Sequence, residues 1–67
     1  MGAAKKNTKA VGKAVFEIKI NSGPGYRVYF GEVGRRMILL LIGGDKSTQS
    51  RDIIRAQEFW RDYNAED

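Results

Sequence analysis

Across residues 14–20 the chain alternates, with Phe16, Ile18 and Ile20 on one side and Val15, Glu17 and Lys19 on the other. A period of two predicts a half-buried strand. Residues 21–25 form a turn cluster, with glycine on both sides of Pro24. Alternation resumes over residues 26–31, where Tyr26, Val28 and Phe30 oppose Arg27 and Tyr29. Residues 31–34 read as a tight hairpin connection. Residues 36–42 are apolar throughout after Arg36. That run predicts a strand buried on both faces, in the single chain or in an assembly. Gly43 and Gly44 stop it. Ile53, Ala56, Trp60 and Tyr63 then recur at helical spacing beside Phe59, predicting a helix over 50–63 with Thr48 or Ser50 as N-cap.

The predicted fold class is α+β: a three-stranded antiparallel meander followed by a C-terminal helix. Residues 14–67 form the single domain, and residues 1–13 a flexible basic tail without periodicity. One helix covers one sheet face. The uncovered face is expected to hold Glu17, Lys19, Arg27 and Tyr29, beside alternate residues of the apolar third strand. An uncovered apolar surface marks an interaction site, so a homodimer or a bound partner is expected.

Composition narrows the function classes. The chain has 67 residues, no Cys, no His and a net charge of +4. The length allows one domain of marginal stability. Without Cys there is neither a disulfide nor a thiol nucleophile, and without His the usual general base and metal ligand are missing. No cofactor or metal is expected. No apolar run reaches the ~18 residues of a membrane span, and Met1 to Ala10 lack the apolar core of a signal peptide. Position 6 is Lys6, where a myristoylation signal needs Ser or Thr. A cytoplasmic location is expected. Residues 1–36 carry eight basic side chains against two acidic ones, whereas residues 37–67 carry four against six. A basic half suggests a polyanionic partner, nucleic acid first.

Three groups of residues carry candidate chemistry. The loop Gly43-Gly44-Asp45-Lys46-Ser47-Thr48 lies between a strand and a helix but lacks the spacing of a phosphate loop. Lys46 and the helix start would meet a phosphate of a larger ligand, or serve only as a cap. Lys19, Arg27 and Tyr29 share a hairpin face with Glu17, where two cations and a phenol suit a phosphodiester and a stacked base. A solvated charge cluster is the other reading. Trp60, Phe59 and Tyr63 have core spacing.

The segments FEIKI (16–20), GPGYRVYF (23–30), LLLIGGDKSTQ (39–49) and RDI (51–53), with Ala56, resemble the addiction-module killer proteins. These are the HigB-like branch of the RelE/ParE toxin superfamily, and the resemblance spans roughly residues 9–63. It implies the toxin component of a type II toxin–antitoxin system, with a helical hairpin ahead of the sheet that this chain lacks. The activity it implies is ribosome-dependent mRNA cleavage, in which a ribose 2′-OH attacks the adjacent phosphate. A gyrase-poisoning activity and a non-catalytic remnant that binds antitoxin are the alternatives. The implied partners are mRNA on the ribosome and a helix-turn-helix antitoxin.

Under that resemblance Arg27 stabilises the phosphorane, and Lys46 is a second phosphate contact or proton donor. Lys19, where many relatives carry Arg, contacts the backbone, Glu17 is a candidate base, and Tyr29 a stacking or polar partner. Arg27→Ala is expected to abolish activity without disturbing folding.

Overall fold

A computed structural model describes residues 8–21, 23 and 25–65. The chain forms strands β1 (Thr8–Ala10), β2 (Phe16–Lys19), β3 (Arg27–Val33) and β4 (Arg36–Gly43), a short 3-10 turn (Lys46–Thr48) and helix α1 (Gln49–Ala65). The strands make one antiparallel sheet in the order β1-β2-β3-β4. The α+β meander with its C-terminal helix is as the sequence predicts, with a fourth strand added. That strand lies inside the expected basic tail. Thr8, Lys9 and Ala10 pair with Ile18, Glu17 and Phe16. Residues 1–7 of that tail lie outside the described residues.

The β1–β2 connection is tight. Gly12, Lys13 and Ala14 all have positive φ (97°, 56° and 63°). Two backbone hydrogen bonds close it, Val11 N–H to Val15 O and Val15 N–H to Gly12 O. The Gln57 side chain of α1 donates to Val11 O at 2.9 Å. The β3–β4 hairpin turns at Gly34 and Arg35, one step later than the alternation suggests, and Val33 pairs with Arg36. Gly34 has φ +61°, as a two-residue hairpin turn with glycine first requires.

The helix lies on the opposite sheet face from the one expected. Its partners are the polar-alternate positions: Val15 and Tyr29 are fully buried and join Ala56 and Trp60 in the core. The cause is side-chain size. This face carries Gly31 and Gly43, which let the helix approach. A Cβ on Gly31 would lie 2.6 Å from the Trp60 ring, and one on Gly43 would lie 2.7 Å from Asp52 Oδ2. The other face carries Phe16, Ile18, Val28, Phe30, Leu39 and Ile42, too bulky for such an approach. There Phe16 stacks on Phe30 with ring centroids 5.6 Å apart.

β4 is accordingly covered on one side only. Met37, Leu39 and Ile42 are 58–63% exposed, so double burial does not occur within the single chain. A β-bulge lies in β3–β4: Tyr29 pairs with Leu41 and Phe30 with Leu39. The skipped Leu40 lets Ile38 face Gly31 beneath the helix. Leu40, Leu41 and Ile38 all pack against the core. Trp60 is a core residue, as its spacing predicts, whereas Phe59 and Tyr63 are exposed. Tyr63 stacks on the outer side of Trp60, at 5.5 Å between centroids.

Candidate nucleic-acid interface

Two rows of cross-strand neighbours build the site. Lys9, Glu17, Tyr29 and Leu41 form one row across the four strands. Lys19, Arg27 and Gly43 form the next. Directly opposed and diagonal side chains on one face lie within reach of each other. Charges of opposite sign are thereby interleaved at the end of the sheet where the loop before α1 crosses.

That loop is shaped by Asp45. Its carboxylate accepts from Ser47 N–H at 2.9 Å and from the Ser47 hydroxyl. These bonds hold the Asp45 carboxyl below its usual range. Asp45 thus caps the 3-10 turn, and α1 begins at Gln49, directly after Thr48, one of the two cap positions expected from sequence. The Thr48 hydroxyl instead donates to Asp52 Oδ2 at 2.7 Å. The turn brings Lys46 to the rim beside β2 and β3.

The result is two adjoining clefts that share Lys19, Arg27 and Lys46. One, of about 480 Å³, is completed by Asn21, Gly23, Gly25, Asp45 and Ser47. The other, of about 420 Å³, is completed by Thr8, Lys9, Glu17 and Gln49. Lys9, Lys19 and Lys46 are exposed. Arg27 is only 7% exposed, so it forms the floor rather than the rim. The structure thus brings Lys19, Arg27 and Lys46 together although 27 positions separate the first from the last in the sequence.

Glu17 and Tyr29 stand differently from expectation. Glu17 is 3% exposed. Its Oε2 accepts from Gln49 Nε2 at 2.9 Å and lies 3.8 Å from Arg27 Nε. Its Oε1 lies 3.7 Å from Lys9 Nζ. Tyr29 is fully buried beneath α1 and offers no ring face to a base. The stacking role expected of it is corrected by the helix lying on this face. Neither its hydroxyl nor Arg27 Nε closes a well-formed hydrogen bond, although the Glu17 carboxylate lies near enough to act on the phenol. Burial pushes the Tyr29 phenol well above its ordinary 10.0. The Glu17 and Asp52 carboxylates push the same way, against an opposing pull from Arg27.

The expectation that Arg27→Ala spares the fold is also corrected. Arg27 is the buried cation beside buried Glu17, and its removal would leave that carboxylate with only the exposed Lys9 ammonium opposite it. Sequence reasoning missed Lys9, Gln49 and Asp52. Lys9 was hidden because three residues without alternation give no strand signal. Asp52 and Gln49 carry helical spacing toward the sheet, legible only once the helix face is known.

Among the described residues, no cluster of three or more acidic side chains could hold a metal ion. No helix among them is long and apolar enough to cross a membrane.

No family model matches the chain, and no solved structure matches it. Over 49 residues it is 47% identical to an uncharacterized protein of Haemophilus influenzae. The match covers 73% of this chain and 50% of that protein, so the chain spans about half the length of its relative.

Proposed function

We propose that this chain is a domain of the HigB-like branch of the RelE/ParE toxin superfamily, and that its basic cleft holds an RNA phosphodiester. The observation that carries this reading is the meeting of Lys19, Arg27 and Lys46 on one open cleft. Three cations at one end of a sheet, with Lys9 beside them, carry the sign of charge that a nucleic-acid backbone requires. The resemblance of GPGYRVYF and GGDKSTQ to the killer proteins falls on the two segments that line this cleft.

In the proposed chemistry, cleavage of mRNA on the ribosome proceeds by attack of a 2′-OH on the adjacent phosphate: the 2′-OH proton passes to solvent, the O2′–P bond forms and the P–O5′ bond breaks, giving a cyclic phosphate and a 5′-OH. Arg27 offers its guanidinium from the cleft floor to the phosphorane oxygens. Lys19 and Lys46 hold the flanking backbone, and Lys46 is the donor closest in kind to what the leaving 5′-oxygen needs. The same reading implies a cytoplasmic location, with a helix-turn-helix antitoxin as partner.

The test is growth after induced expression, paired with binding of a short fluorescein-labelled single-stranded RNA. The reading expects binding that weakens steeply with salt and is reduced by Lys46→Ala. Salt-independent binding, or equal binding by the wild type and Lys46→Ala, would remove it.

The open sheet face of Leu39, Ile42 and Met37 favours a second reading, in which the domain works by association with an antitoxin or as a homodimer. Growth arrest absent from the chain, together with concentration-dependent sedimentation, would favour that reading.

A further inference from the structure

We propose that Glu17 is the positioning residue of the cleft, holding Arg27 in place for an anion rather than accepting a proton. Two facts carry this. Glu17 is 3% exposed and Arg27 is 7% exposed, so the pair is set in the sheet before any ligand arrives. Both carboxylate oxygens face cations: Oε1 lies 3.7 Å from the Lys9 ammonium, and Oε2 lies 3.8 Å from Arg27 Nε and accepts from Gln49. A base needs a free lone pair directed at the proton it takes, and these oxygens are directed at cations.

The geometry at Arg27 completes the assignment. Glu17 meets the guanidinium from its Nε edge, at 3.8 Å. Gly25 O accepts from Nη1 at 3.4 Å, at the limit of a hydrogen bond. The Nε edge thus faces the protein, while the side chain lines both clefts. A guanidinium is a planar fork whose donors move together. The Glu17 charge faces the Nε edge without a hydrogen bond, so its pull, together with the Gly25 contact at Nη1, biases where the remaining donors point.

Gln49 belongs to the same device. It is the first residue of α1 and donates to Glu17 across 32 positions of sequence. The helix start thereby sets the carboxylate, and the carboxylate sets the arginine. Lys9 closes the other oxygen from β1.

The sign of one substitution decides the matter. A carboxylate beside an anion site repels the anion, so Glu17→Gln should tighten binding if Glu17 is only a charge. If Glu17 positions Arg27, the same substitution weakens binding, by about tenfold, the scale of coupling between touching groups. The experiment measures binding of the short fluorescein-labelled single-stranded RNA by wild type, Glu17→Gln, Arg27→Lys and the double variant. It also follows exchange of the Arg27 Nε proton with water by NMR in the free proteins.

The expected result is weaker binding by Glu17→Gln, about tenfold faster Nε–H exchange, and a double variant no worse than the worse single one. Tighter or equal binding with unchanged exchange overturns the proposal. The binding arm rests on the RNA reading of the cleft, but the exchange arm does not. A wild type that binds no RNA would end that reading, and the exchange rates would still decide the role of Glu17. Should Glu17→Gln fail to fold, Gln49→Ala keeps both charges and is expected to speed Nε–H exchange several-fold. Unchanged exchange in that variant overturns the proposal as well.

Discussion

Trp60 rests on Gly31 so closely that no side chain fits between them. The contact decides which face of the sheet the helix covers. Gly31→Ala must push the indole outward or bend β3, and overpacking of this kind costs about 1–3 kcal/mol. In a domain of this size that is a large share of the total stability. Urea denaturation followed by Trp60 fluorescence should give a lower midpoint. An unchanged midpoint would mean the helix does not seat on this glycine.

Tyr29 gives a pH prediction. Its folded-state phenol is raised above the ordinary 10.0, chiefly by burial. The protonated form is therefore favoured by folding. This contribution is fully present below pH 10 and is lost as pH rises from there toward the folded value. Wild type should lose stability above pH 10. Tyr29→Phe should lose less, since it has no phenol to ionise at this position. At neutral pH the substitution should be within about 1 kcal/mol of wild type, because the hydroxyl it removes sits near Glu17 without a well-formed hydrogen bond. Urea midpoints at pH 7 and pH 11 would check both statements.

The cleft cations divide by burial. Lys19 and Lys46 are exposed, so Lys19→Ala and Lys46→Ala should change stability by no more than about 0.5 kcal/mol. Each should weaken RNA binding and lower the slope against log salt by about one. Arg27→Ala is a different experiment. It leaves buried Glu17 with only the exposed Lys9 as counter-charge and should cost about 1–3 kcal/mol. Thermal melts of the three variants, read beside their binding isotherms, separate the two effects.

The open sheet face offers a fourth test. Ile42 is 63% exposed on the side away from the helix. Ile42→Lys should therefore cost less than about 1 kcal/mol in the isolated chain. Sedimentation at high concentration should shift toward smaller species if copies associate through this face. A loss of several kcal/mol would show that Ile42 is packed.

The strands and helix were legible because period-two and helical spacing are local signals. Phe16 to Lys19 and Ile53 to Trp60 declare themselves within a few residues. The face of the sheet was not legible. Hydrophobicity pointed the helix at Phe16, Ile18 and Val28, whereas glycine at 31 and 43 drew it to the other side. The bulge at Leu40 also erased any two-residue rhythm in β4, since it reverses which residues face the helix on either side of it. In the site, Lys19, Arg27 and Lys46 were found by pattern and resemblance. Gln49 and Lys9 were not, because only the sheet register and the helix entry bring them to Glu17.

The bond from Gln57 to Val11 O couples two distant parts of the molecule. β1 is three residues long and pairs on one edge only, too little to hold itself against fraying. The amide from the helix works as a latch at the near end of that strand. Lys9, which faces Glu17 from β1, is held by the ladder to β2 and by this latch together. A neutral side chain that touches neither cleft thus reinforces the cleft's outer wall.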